Sequence, residues 1–193
     1  SLIGGLTAAG FPADQVRVAE PDAARAEALR ERFGVQVAAN GTDIVTGAQT
    51  LVLAVKPQQM GAALQGLKPD AGACVVSIAA GIRLAFLRRA LGDALHYVRS
   101  MPNTPALYGC GISGLYAVPG TPDSARRRAE VVLRAAGEIC WLGEEAELDA
   151  VTAVSGSGPA YFFLLVEAMR EAGVALGLSP ATAAQLAART CVG

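Results

Sequence analysis

Histidine is almost absent: His96 is the only one in 193 residues. That scarcity excludes a metal site built from several imidazoles and any relay that needs two rings. His96 itself reads as a residue that packs within its own segment. Cysteine is sparse and scattered. Cys74, Cys110, Cys140 and Cys191 form no CxxC pair and have no histidine beside them, so neither a zinc knuckle nor a dithiol redox pair is offered. They are expected as buried thiols of a reducing compartment, with a reactive nucleophile as the minor alternative.

An excess of one charge is missing too. The formal net charge is −1, which gives no electrostatic draw toward nucleic acid or an anionic membrane. The run Arg126-Arg127-Arg128 lies in a helical stretch and reads as a solvated face. No stretch reads as a signal peptide, so the expected location is the cytoplasm. The longest apolar stretch, 160–178, carries Glu167, Arg170 and Glu171 on one side. It reads as an amphipathic helix with a narrow polar stripe, not as a membrane span. No nucleophile stands beside a base, and no carboxylate pair has glycosidase-like spacing. Chemistry carried by a bound cofactor remains, because hydride transfer needs positioning more than protein nucleophiles.

What is present is apolar: 52% hydrophobic residues against 17% charged, enough for a well-buried core. Leu2, Ile3 and Leu6 recur at helical spacing, and Gly10 stops that helix. "VRVAEPD" follows as a strand ending at Glu20, then a helix begun by Asp22 and ended by Gly34. "VQVAAN", "TLVLAVKP", "ACVVSIAAG" and "LHYVRS" read as further strands, with helices expected over 42–48, 58–67 and 84–91. Strands without polar alternation are buried on both faces. Alternating with helices, they predict a Rossmann-like, doubly wound, mostly parallel sheet.

After "MPNTPA", "GISGLYAV" and "EICWLG" read as strands around a helix over 124–136. From Leu148 onward no strand remains: a helix over 148–154, a break at "SGSGP", the long amphipathic helix, and a last one begun by Ser179-Pro180. The acidic stretch 144–147 marks the expected boundary between a dinucleotide-binding domain over 1–146 and a helical domain over 147–193.

Glu20 carries the first functional expectation. In a dinucleotide-binding unit an acid roughly 20 positions past the glycine loop takes the ribose hydroxyl. Counting back places that loop ahead of residue 1, so the first strand and phosphate loop are expected to be missing from this sequence. "LAARTCVG" likewise reads as cut within a helix. An ordinary solvated strand-end acid is the alternative for Glu20. As ribose ligand it favours NADH over NADPH, with Arg25 able to offset it.

Ligands of such sheets bind beyond the carboxyl ends of the strands. "AVKPQQM", "SIAAGI" and "RSMPNTPA" stand there in succession, each rich in small residues, with proline stiffening two of them. Any one of them alone reads as a turn. Lys56 can meet a phosphate or ribose, and the Asn103 carboxamide can meet that of a nicotinamide, although both also suit solvent and turn. The N–H groups of 157–160 can face a ligand, with Pro159 early in the helix.

Together "LAVKPQ", "SIAAGI", "MPNTPA" and above all "DAVTAVSGSGPAYFF" resemble pyrroline-5-carboxylate reductase, over the whole chain. The resemblance implies reduction of the C=N bond of 1-pyrroline-5-carboxylate to L-proline by NADH or NADPH. It implies that Asn40, Ala54, Val55, Lys56, Pro57, Ile78, Ala79 and Ala80 touch the cofactor, with Asn103 and Pro159 near the nicotinamide. Thr152 lies beside the ring nitrogen as the catalytic candidate, Ser155 is grouped with it at the substrate, and Glu145 is a weaker candidate at the substrate edge. No metal is implied. The helical domain is implied to interlock two subunits, in a homodimer or higher oligomer. Two other readings stay open: a β-hydroxyacid dehydrogenase, disfavoured because 148–193 holds no lysine, and a non-catalytic nucleotide-binding or dimerisation module.

Overall fold

The computed structural model describes residues 2–192. Its first helix, α1 (Leu2–Ala8), precedes strand β1 (Arg17–Ala19) and helix α2 (Ala23–Phe33). The limits of α2 follow from its caps. Asp22 accepts the Arg25 N–H at 2.9 Å, and Gly34 takes the left-handed conformation at φ 67 while donating to Arg30. Strand β2 (Gln36–Ala38) pairs with β1 in parallel.

The larger sheet holds β3 (Thr50–Leu53), β4 (Cys74–Ser77), β5 (His96–Met101), β6 (Gly111–Ala117) and β7 (Gly137–Trp141), paired in that order. All neighbours are parallel except β5 and β6. Helices α3 (Met60–Leu64), α4 (Leu84–Leu91) and α5 (Asp123–Arg134) connect the strands. Adjacent residues of β4 point to opposite faces and both are buried. Val75 joins Leu53, Met60, Leu84, Leu87 and Tyr97, while Val76 joins Val98, Leu115, Ala129 and Leu133. This double burial is why the strands read as continuous apolar runs.

The expected single sheet lies in two pieces, β1-β2 and β3 to β7. Among the described residues no strand pairs with both β1 and β3. The Arg17 guanidinium reaches across instead, donating to the Thr46 carbonyl at 2.8 Å.

Three expected local structures differ. Residues 42–48 hold a 3₁₀ turn, Gly41–Asp43, in place of a helix, and Gly47 then turns the chain at φ 74. The expected helix 58–67 shrinks to a turn, Pro57–Gln59, followed by α3, because Gly66 at φ 76 ends it. The break at "SGSGP" is no break. Helix α6 (Glu147–Val151) runs through a π-helical segment, Thr152–Gly156, into α7 (Gly158–Ala175). Ser157 donates to the Thr152 carbonyl at 2.8 Å, which widens the turn by one residue without interrupting it. Helix α8 (Pro180–Val192) folds back on α7, with Ser179 capping it by accepting the Thr182 N–H.

The basic run is not a plain solvated face. Arg126 stacks on the Trp141 ring at 4.7 Å and Arg128 donates to the Gly72 carbonyl at 3.1 Å, so only Arg127 is left exposed. The thiols differ as well. Cys74 is buried, whereas Cys110, Cys140 and Cys191 are exposed, because their small neighbours lie on loops, an edge strand and an outer helix rather than in the core.

The helix Glu147–Ala175 is long and apolar enough, by length and composition, to cross a membrane. Tyr161, Phe162, Phe163, Leu164 and Leu165 are all more than half exposed, so this helix is not covered by its own chain. That much apolar area in one patch marks an interaction surface.

Burial pushes the Cys74 thiol up to about 11, with nearby Arg128 pulling the other way. Iodoacetamide at mildly alkaline pH is therefore expected to label Cys110 and Cys140 on the folded protein and Cys74 only after denaturation. Peptide mass mapping of the labelled protein checks this.

Candidate functional site

The register of the larger sheet brings the candidate loops together. Leu53 pairs with Ser77, and Ser77 with Arg99, so the chain leaves β3, β4 and β5 side by side at their carboxyl ends. Ala54 to Pro57 follow β3 directly, with Ala54 and Lys56 exposed. Ile78 to Ala80 follow β4, with Ala79 buried, Ile78 half-buried and Ala80 exposed. Asn103 follows β5. Glu20 stands at the tip of β1, where its carboxylate accepts the Asp22 N–H at 3.0 Å. Asn40 lies exposed just past β2 and makes no side-chain cap bond to the turn it precedes.

Two clefts of similar size flank Asn103. One, of about 390 Å³, is lined by Ile78, Met101, Asn103, Ser113 and Gly156 together with Leu2 of α1. The other, of about 400 Å³, is lined by Asn103, Pro105, Ser155, Pro159 and Phe162. The partition between them is built from hydrogen bonds. Asn103 Nδ2 donates to Ser155 Oγ at 3.2 Å, and Asn103 Oδ1 accepts the Ile112 N–H at 3.1 Å. The carboxamide expected to face a nicotinamide thus also ties the π-helical segment to β6. One N–H and one lone pair remain for a ligand.

Thr152 is half-buried at the start of the π-helical segment. Its hydroxyl donates to the Leu148 carbonyl at 2.8 Å. Its proton is therefore committed, and Oγ1 has only lone pairs to offer. Pro159 and Ser155 share the second cleft, whereas Thr152 lines neither.

Glu145 has partners other than the expected ones. Its Oε1 accepts the Leu84 N–H at 2.8 Å and lies 3.3 Å from Arg99 Nη1. It lines neither cleft, because both contacts draw the carboxylate inward.

Sequence reasoning passed over Arg99, buried on β5, and the buried hydroxyls Ser77, Ser100 and Ser113. The signal for Arg99 was legible: a guanidinium inside a strand buried on both faces demands a partner. Tyr97 is structural. Its hydroxyl donates to the Gly92 carbonyl at 2.6 Å, and burial, with Asp93 adding to it and Arg88 opposing, pushes it up to about 12. It stays protonated at neutral pH. Among the described residues no group of three or more His, Cys, Asp or Glu side chains is placed to hold a metal ion.

Comparison with known proteins identifies the family. The family model described as "Pyrroline-5-carboxylate reductase dimerisation" matches residues 145–193, and one described as "NADP oxidoreductase coenzyme F420-dependent" matches 1–81. The pyrroline-5-carboxylate reductase of Pseudomonas aeruginosa is 48% identical over 195 residues, covering all of this chain and 71% of that protein. The structure of the Coxiella burnetii pyrroline-5-carboxylate reductase superposes with a TM-score of 0.88 at 33% identity, over all of this chain and 72% of that one. That of the Plasmodium falciparum pyrroline carboxylate reductase, solved with NADP bound, superposes with a TM-score of 0.83 at 26% identity, over 98% of this chain and 70% of that one. With full coverage of the chain at this identity, fold and family coincide: the chain belongs to the pyrroline-5-carboxylate reductases.

Proposed function

We propose that this protein reduces 1-pyrroline-5-carboxylate to L-proline with NADPH or NADH, the last step of proline biosynthesis. The observation that carries the reading is the junction at Asn103. There the carboxyl edge of a parallel sheet meets a π-helical turn, and the two are hydrogen-bonded through Ser155. Such a junction sets a dinucleotide edge against a second wall, as transfer between two bound molecules requires.

The residues fit a dinucleotide. Glu20 is held at the tip of β1 by the Asp22 N–H, in place to accept a ribose hydroxyl. The turns 54–57 and 78–80 present alanines and backbone, which allow close approach. Asn103 borders both clefts and Pro159 the second, where a nicotinamide would lie. The bound dinucleotide supplies the hydride.

On the substrate side Thr152 has one thing to give. With its proton donated to Leu148, Oγ1 accepts from an N–H, either that of a protonated imine or that of the product amine. The imine therefore arrives already protonated and electrophilic, and its nitrogen takes back an electron pair as hydride reaches the imine carbon. Ser155, itself tied to Asn103, forms the adjoining wall.

The apolar segment Tyr161–Leu165, exposed all round its helix, we read as the surface on which a second copy packs, forming a homodimer or higher oligomer. The dimerisation family matched over 145–193 supports this. Cytoplasmic residence, without nucleic acid or membrane as partner, completes the reading.

Three sets of measurements test it, the first on turnover. Purified full-length protein should oxidise NAD(P)H on addition of pyrroline-5-carboxylate; binding of dinucleotide without turnover would sink the proposal. Thr152→Val should lower kcat/KM by about 10- to 100-fold, the worth of a hydrogen bond to a charged group, while Thr152→Ser stays near wild type. In the unsubstituted enzyme log kcat/KM should fall with a slope of about −1 above the pKa of the imine, measured across a pH series.

Glu20 sets the second outcome. Its carboxylate repels a 2′-phosphate, so NADH is expected to be the better donor, and Glu20→Ala should raise the NADPH to NADH ratio of kcat/KM by about tenfold. For the third, Leu164, one of the exposed apolar residues of α7, becomes Glu. Sedimentation velocity should then show the dimer lost, since burying one leucine contributes about 1.5–3 kcal/mol and burying a charge opposes it.

A further inference from the structure

Arg99 has no part in the reading above, yet it is the most deeply buried charge in the site region. Its side chain is 6% exposed, on β5, where strand alternation places it on the same face as Tyr97. A guanidinium taken out of water is tolerated only with good partners, so its contacts tell what it is for. Nη1 lies 3.3 Å from Glu145 Oε1, and Nη2 lies 3.9 Å from Asp149 Oδ1. The same Glu145 oxygen accepts the Leu84 N–H at 2.8 Å.

Leu84 opens α4, and the residue before it, Arg83, supplies no side-chain cap. A carboxylate from 61 residues further along does so instead, set at the positive end of the helix dipole. Glu145 thus joins three parts: the end of the turn that begins with Ile78–Ala80, the strand that leads to Asn103, and the approach to the helix that carries Thr152. At the other end of the same stretch, Ser155 is tied to Asn103. The segment from Glu145 to Ser155 is pinned at both ends, and Thr152 lies between the pins.

We infer that Arg99 is a positioning residue for hydride transfer: through Glu145 it fixes the Thr152 helix against the dinucleotide-side turns. Apolar packing at this junction resists approach but allows sliding. A charge-assisted hydrogen bond resists sliding, because its strength depends on direction as well as distance. The inference rests on the reductase reading for the step it serves, while the clasp itself stands on geometry alone.

The test uses full-length protein carrying Arg99→Met, Arg99→Lys or Glu145→Gln. Arg99→Met should lower kcat by about 10- to 100-fold, the order that a misplacement of about 1 Å costs, with the dinucleotide KM unchanged to within about twofold. Arg99→Lys should recover part of the loss. With a dinucleotide deuterated at the transferred position, the kinetic isotope effect should grow as transfer becomes limiting. Amide exchange should rise together in 78–84 and 147–152 and stay constant in α2. Should Arg99→Met not fold, Glu145→Gln keeps an acceptor for Leu84 and removes only the charge. Folded variants with unchanged kcat, or exchange rising in one of the two segments alone, would overturn the inference. Unsubstituted protein that fails to turn over would instead count against the reductase reading, and the exchange result would still judge the clasp.

Discussion

The turn after β5 and the helix after β7 reach the same edge only because glycine stands where they cross the sheet. A Cβ on Gly111 would lie 2.8 Å from the backbone of Ala106, and one on Gly114 would lie 3.0 Å from both methyls of Val151. The first contact is with backbone, which cannot rotate away. The second is with a β-branched side chain that has few rotamers to offer. These two positions let the 104–108 turn and α6 settle onto β6 at closer range than side chains permit. Everything at the site is measured from there: Asn103 leads into that turn, and Thr152 follows Val151 directly.

That close seating explains why the segment after α6 is π-helical rather than broken. Glycines and serines in "SGSGP" suggest an interruption, since such residues favour turns. The surrounding packing decides otherwise. Val151 is held in the Gly114 notch, and Ser155 is held by Asn103. A helix tied at two points with one residue too many between them absorbs the excess by widening. Gly156 lies under Met101, where a Cβ would come within 2.6 Å of the methionine tip, so the widened turn also presses on the end of β5.

Much of the fold was legible because it rests on strong local signals. Asp22 and Gly34 bracket α2 as their side-chain and backbone chemistry demands, and the apolar runs at β3, β4 and β5 announce strands buried on both faces. The misreadings share a cause. Residues 42–48 and 58–67 carry helical spacing, but Gly47 and Gly66 take positive φ, and sequence spacing does not reveal which glycine turns the chain. Exposure of Cys110, Cys140 and Cys191 was illegible for a related reason: small apolar neighbours occur on loops and outer helices as well as in cores. At the site, residue types were readable and partnerships were not. Glu145 was visible as an acid near the boundary, but nothing local announces that its partners are Leu84 and Arg99.

Counting protons within the site narrows the chemistry further than naming its residues does. Thr152 gives its proton to Leu148, and Asn103 gives one N–H to Ser155. Tyr97, the tyrosine of β5, gives its own to Gly92 and is held far from ionising. The single histidine opens β5 at its amino end, one strand length from the carboxyl edge. The Ser155 hydroxyl accepts from Asn103 and keeps its own proton, but an alcohol is a weak acid, so among these residues none is a strong proton donor to a substrate. A carbonyl substrate would leave an alkoxide that needs such a donor, whereas a protonated imine leaves a neutral amine that does not. The internal hydrogen bonds that hold the junction together are the same ones that suit it to reducing C=N.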